Sequence, residues 1–222
     1  MSDLDTLLNE FRDIIDGIYG VYCDATSGFL KVRDEAIENE KQALEIFRES
    51  QKSNSEYSNF SFGGVSRSYP RFVPKEKQGK YVHLHQADSE EIKTRNVING
   101  ANYIYMANMC VVSIYQYWED HYREKIAKLL NLESKKLKND SRDKPKNRIK
   151  VAIFSDIMHL RNSIIHNRGI ANSKISQCEV FRWFKKGDQI TFDRDSVGQI
   201  IDEIMIFIEE FRKDQSRFIV NS

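Results

Sequence analysis

The sequence predicts a mainly all-α fold: a helical bundle with a small β-hairpin and an irregular, β-containing insertion. Three observations lead there. Apolar residues recur at steps of three and four over most of the 222 residues, only three prolines occur, and one stretch, 53–88, changes to a polar texture rich in Ser, Asn and Gly. With 40% hydrophobic residues the chain can build one sizeable core and is short for two full domains. Residues 1–222 are therefore read as a single domain, with 53–88 as an insertion and 131–146 as a basic loop.

Each element has its own pattern. Leu4, Leu7, Leu8, Phe11, Ile14, Ile15 and Ile18 give a first helix to Tyr19, weakened at its end by Gly17 and Gly20. A second helix is predicted over about Gly28 to Gln51. Tyr57 to Asp88 reads as irregular or β-containing, with Tyr81 to His85 alternating as one strand. A long helix follows from about Glu90 to Leu130, its stripe running through Val97, Ile104, Val111, Tyr115, Trp118, Tyr122 and Ile126. Another helix is expected over about Asn147 to His166, stopped by Gly169. Glu179–Phe184 and Gln189–Phe192 flank Lys185-Lys186-Gly187-Asp188 as the hairpin. The last helix carries Val197, Ile200, Ile201, Ile204, Ile208 and Phe211, with Ser196 and Gln199 spaced as a capping box.

Composition narrows the function classes. A net charge of +1 excludes a wholesale polyanion-binding surface, but the charge is uneven. Between Asn131 and Lys150 eight Lys and Arg face three acids, and Arg67 to Lys80 holds five basic residues and one acid. Such local stretches can guide a nucleic acid to a site, and equally can be solvated loops. No run of about eighteen apolar residues occurs, so no membrane span is expected. The acidic, amphipathic start Met1-Ser2-Asp3-Leu4-Asp5 does not read as a signal peptide. Cys23, Cys110 and Cys178 form neither zinc-ligand spacing nor a disulfide framework, which suits a reducing cytoplasm. No metal or cofactor is expected. His83 and His85 share a strand face without further ligands, and no phosphate-binding loop or nucleophile elbow is found. The aromatic residues Tyr103, Tyr105, Tyr115, Tyr117 and Trp118 read as core before they read as a base-stacking platform.

The chemistry concentrates in Leu160-Arg161-Asn162-Ser163-Ile164-Ile165-His166-Asn167. On a helical wheel Ile153, Ile157, Leu160 and Ile164 form the core stripe, and Phe154, Met158 and Ile165 extend the apolar arc. Ser155, His159, Asn162 and His166 share the polar side. Arg161 falls inside the apolar arc, where a guanidinium needs either a carboxylate or a cleft. Glu119 or Asp120 could supply that carboxylate, so a buried ion pair and a functional arginine both stand open. Arg161 and His166 leave the helix about 140° apart. To act on one phosphate the helix must distort near Ser163, unwind toward Gly169, or be joined by a second copy across a two-fold axis. His159, one turn before Asn162, is either a surface histidine or a support for the site.

These residues resemble the defining motif of the HEPN superfamily: an Arg, four to six residues, then a His, with a polar residue directly after the Arg. The placement near the end of a helix, after a long central helix and before one more packed helix, is similar to the family too. The resemblance implies a HEPN-like bundle, usually dimeric, and a metal-independent endoribonuclease of toxin–antitoxin or phage-defence type, with an antitoxin or defence-system protein as a partner. It implies catalysis by Arg161, Asn162 and His166, with Glu119, Asp120 and His159 as possible supports. Lys135, Lys136, Lys138 and Arg148 would then carry the RNA backbone to the site. The alternative it leaves is a non-catalytic HEPN module binding a protein or a nucleotide.

Overall fold

The computed structural model describes residues 2–53, 66–69, 85–132 and 144–220, and the fold is mainly α-helical. The chain divides into two compact units: Met1–Asp24 with Ile104–Ser222, and Ala25–Tyr103. The stretch expected as an insertion, 53–88, falls within the second. Among the described residues, no helix is long and apolar enough to cross a membrane.

The two helices expected before residue 53 are one, α1, Asp3–Ser53. Gly17, Gly20 and Gly28 do not break it. Each costs roughly 1 kcal/mol against Ala, and the residues between them give the helix a reason to continue: Tyr22 and Thr26 are buried. In the second unit, Ser66–Tyr69 (β1) and His85–Asp88 (β2) pair antiparallel, with Ser66 opposite Asp88 and Tyr69 opposite His85. The strand expected over Tyr81 to His85 otherwise lies outside the described residues. Asp88 ends β2 and caps α2, Ser89–Arg95, by accepting the Glu91 N–H at 2.7 Å.

The long helix expected from Glu90 is interrupted. After α2 the Asn96 amide folds back on the Ile92 carbonyl at 2.8 Å, Asn99 takes φ +62°, and Gly100 N–H closes a turn on Val97. A Cβ at Gly100 would sit 2.8–2.9 Å from three carbonyl oxygens, so the turn admits glycine alone. Helix α3, Ala101–Tyr117, then passes through a π-helical turn, Trp118–Tyr122, into α4, Arg123–Leu129.

The first unit's core lies under this central helix. Ala107, Val111, Ile114, Trp118, Tyr122 and Ile126 face it, together with Leu8, Phe11 and Ile15 of α1. Trp118 stacks on Phe154 at 4.0 Å and 7°, and Phe207 meets both edge-on. The helix expected from Asn147 begins later. Pro145–Arg148 is a 3-10 turn, Ile149 bridges Ile219, and α5 spans Ala152–His166. The cap of α6, Arg194–Lys213, lies three residues ahead of the expected Ser196: it is Asp193, whose carboxylate accepts the Ser196 N–H at 2.8 Å.

The predicted hairpin does not form. The turn is present, closed by Asp188 N–H on the Lys185 carbonyl and by the Asp188 carboxylate on Lys185 N–H. Its two arms, however, do not pair with each other. Gly187 and Ile190 bond instead to Ala171 and Gly169, and Ile170 bridges Gln189. Asp156 holds the other arm by its backbone, so its N–H groups are already committed.

Candidate active site

Helix α5 places the motif. Ile153, Ile157 and Leu160 are buried as the wheel requires, and Phe154 joins the aromatic stack. Ile165, on the extended arc, is 45% exposed, so that side of the helix is surface rather than core. Arg161 and Asn162 are half-buried and His166 is exposed.

One guanidinium nitrogen joins the three residues. Arg161 Nη1 donates to Asn162 Oδ1 at 3.0 Å and lies 3.1 Å from His166 Nε2. Arginine has no acceptor, so Nε2 must accept there, and the imidazole proton sits on Nδ1. The expectation that Arg161 and His166 cannot converge from one straight helix is thus corrected. The 140° separation holds for the Cα–Cβ directions, but the arginine side chain is long enough to curl along the helix surface to its end. α5 stays regular through Ser163 to His166.

The buried ion pair is not there. Glu119 accepts from Arg123 at 2.7 Å and from Lys146 at 2.8 Å, and Asp120 accepts from the Gln116 amide. Arg161 makes no ion pair among the described residues, and its Nε is buried without a partner. Neither Glu119 nor Asp120 therefore supports it directly. Burial alone would raise the Glu119 carboxyl, but the hydrogen bonds from Lys146 and Arg123 reverse this and hold it below the usual carboxylate range.

The π turn explains how Glu119 takes two cations. Arg123 N–H returns to the Trp118 carbonyl, five residues back. The Glu119 carbonyl that it passes over accepts Lys146 Nζ at 2.9 Å. Arg123 meanwhile donates to the Ile149 carbonyl through Nε and Nη2. Lys146, expected as part of an RNA-guiding loop, is a strap between that loop and the central helix.

Beside Gly169, the end of α5 is fixed by contacts that the sequence reading did not single out. Ser163 is buried. Its hydroxyl donates to the His159 carbonyl and accepts the Asn172 N–H, while its carbonyl accepts from Asn167 and Gly169. Arg168 and Gly169 both have positive φ, and the chain turns sharply after His166. Asp156 is wholly buried and accepts three backbone N–H groups, from Glu179, Val180 and Phe181, at 2.7–3.0 Å. A helix-surface histidine was one reading of His159. It is 5% exposed instead, with Nδ1 unpartnered, and burial lowers its pKa against the opposing pull of Asp156. The wheel's polar side is covered at that level by the 172–181 segment that Asp156 holds.

The remaining expected residues are scattered. Arg148 is half-buried in its 3-10 turn. Lys135, Lys136 and Lys138 lie outside the described residues, as do His83 and the side chain of His85. Tyr103 and Trp118 are core, Tyr105 and Tyr117 are exposed, and Tyr115 is half-buried near Arg161. Among the described residues, no group of three or more His, Cys, Asp or Glu is arranged to hold a metal ion.

Comparison with protein-family models, with curated proteins and with solved structures returns no match to this chain, so the HEPN resemblance rests on the residues of the motif and on their setting.

Proposed function

We propose that the chain is a HEPN-type endoribonuclease that cuts RNA without a metal, in a toxin–antitoxin or phage-defence setting. The observation that carries this reading is the Arg161 guanidinium, which bridges Asn162 and His166 with no carboxylate beside it among the described residues. A fixed, uncompensated guanidinium beside an acceptor imidazole is suited to a phosphate.

In the proposed reaction the ribose 2′-OH attacks the adjacent phosphorus. The O2′–P bond forms, the P–O5′ bond breaks, and a 2′,3′-cyclic phosphate and a 5′-OH result. Once the phosphate takes over the Arg161 Nη1 donor, His166 Nε2 is released from it and takes the 2′-OH proton, while Arg161 stabilises the charge on the phosphorane oxygens. Asn162 orients the guanidinium through Oδ1. The departing 5′-oxygen needs a proton, yet His159 is buried and one chain offers one exposed imidazole here. A second copy would supply the other, and exposed Ile165 beside the motif gives such a homodimer, or an antitoxin or defence partner, an apolar contact. Three free cysteines fit a reducing cytoplasm.

The test is incubation of the purified protein with end-labelled RNA in EDTA. Cleavage leaving cyclic phosphate ends is expected. Strict dependence on a divalent ion, or 5′-phosphate products, would overturn the mechanism.

A further inference from the structure

A cleft of about 520 Å3 opens beside the motif, between the π turn and the first turns of α5. We propose that this cleft holds a nucleotide of the same RNA strand, next to the phosphate that is cut. The inference rests on the nuclease reading for its direction, and on the cleft's own chemistry for its ligand.

Position comes first. Ser155 and Met158 line the cleft from α5. Met158 is one turn before Arg161, and Ser155 precedes Asn162 by seven residues on the same face, a rise of about 10 Å. Tyr115 forms another wall, and its phenol lies within reach of the charges of Glu119, Arg123 and Arg161. The cleft and the motif are neighbouring stations along one helix.

The walls then suit a nucleotide. Tyr115 offers an aromatic face and Met158 a polarisable thioether, the surfaces on which a base packs. Among the described residues Arg123 uses Nε, one Nη1 and one Nη2 hydrogen, three of its five donors. Lys150 is exposed at the rim. Ser155 and Glu179, also exposed, can accept from the amino or hydroxyl groups of a base or ribose. Glu119, the other acid in the wall, is already matched by two cations and does not repel a phosphate strongly. The volume lies in the range of small-ligand sites. Apolar packing with two cations and hydrogen-bonding edges fits a nucleotide better than an apolar side chain of a protein partner.

The experiment uses the full chain carrying His166→Ala and measures binding rather than cutting. Oligoribonucleotides with one photo-reactive thiouridine at successive positions are irradiated with the protein, and the linked peptides are mapped by mass spectrometry. One position should link to Tyr115 or to residues 149–158. In the same background, Ser155→Trp fills the cleft from an exposed position and should weaken oligonucleotide binding roughly tenfold or more, with the thermal midpoint retained. Lys150→Glu gives a second reading from the rim should the tryptophan disturb folding. No link in the cleft with unchanged affinity in a folded variant overturns the proposal. Protection of the cleft by a free nucleoside monophosphate, with no link from any oligonucleotide, overturns the assignment to the strand. Failure of the nuclease reading shows separately, as wild-type protein that leaves RNA whole.

Discussion

The carboxylate of Asp156 and the amide of Phe181 meet at 2.8 Å in the interior, although 25 residues separate them. With the amides of Glu179 and Val180 they tie the segment after the motif back to the middle of α5. Asp156→Ala removes the acceptor of three buried or half-buried donors. Each unmade bond of this kind costs about 1–3 kcal/mol, and the total should reach roughly 3–5 kcal/mol. Chemical denaturation should show it as a lower midpoint. A loss within about 0.5 kcal/mol, the range of ordinary surface changes, would mean that water replaces the carboxylate.

Arg161 and His166 should separate activity from folding. His166→Ala at an exposed position should leave stability within about 0.5 kcal/mol and lower RNA cleavage by about 10²–10⁴-fold. Arg161→Ala strands no carboxylate among the described residues, so it too should be folded and inactive, with a modest stability loss from its half-buried stem. Thermal unfolding and cleavage assays on the same preparations decide this. Full cleavage by a folded His166→Ala protein would remove the catalytic assignment.

The sequence makes the mainly helical fold and the core faces legible, for reasons that also mark where it stops. Ile157 and Leu160 are buried because a period of 3.6 residues leaves them no other direction. The reach of Arg161 was not legible, since a wheel describes Cβ directions and the guanidinium lies far beyond Cβ. The burial of His159 depends on a loop anchored by Asp156, and no local pattern announces a contact across 25 residues. Gln189 pairs with Ile170 rather than across its own turn, a choice made by tertiary contacts that alternation does not encode. The break at Asn96–Gly100 carried a signal in Asn99-Gly100, which the apolar stripe on either side outweighed.

Acid should destabilise the fold through His159. Its pKa is lowered in the native state by burial, so the unfolded chain binds the proton more readily. The stability it contributes is present above about 6.5, its unfolded value, and is lost as pH falls through the lower folded value. Glu119 adds a second loss further into acid, below the usual carboxylate range. Denaturation midpoints measured between pH 7.5 and 5 should decline, and His159→Phe should flatten the upper part of that decline. A midpoint independent of pH in this range would show that His159 stays solvated.

Gly169 should resist substitution. Its φ is +77°, and a Cβ would fall 2.6 Å from the Gln189 amide nitrogen. Gln189 is exposed and can swing away, so the backbone term dominates, and Gly169→Ala should cost about 1–2 kcal/mol. Pairing it with Gln189→Ala should recover little. Full recovery in the double variant would place the cost in the steric contact instead.

The basic loop before α5 should act on RNA without regard to sequence. Neutralising Lys135, Lys136, Lys138 and Arg148 together should weaken the binding of unrelated RNAs alike and flatten the dependence of affinity on salt. Binding isotherms at several salt concentrations test it. Unchanged affinity and slope would make these residues ordinary surface.

The π turn at Trp118–Tyr122 has a consequence for how this cleft can arise or vanish. A π turn holds one residue beyond the α-helical repeat, and its neighbours on both sides keep their phase, as Ile114, Trp118 and Ile126 still share the core. Loss of one codon at this point, or its gain in a helix that lacks the turn, would therefore leave the bundle intact. The Glu119 carbonyl left over for Lys146, the Lys146 strap and the wall that Arg123 gives the cleft would appear or disappear with it. A lineage could acquire or discard this ligand-facing surface in a single insertion or deletion, without passing through an unfolded ancestor.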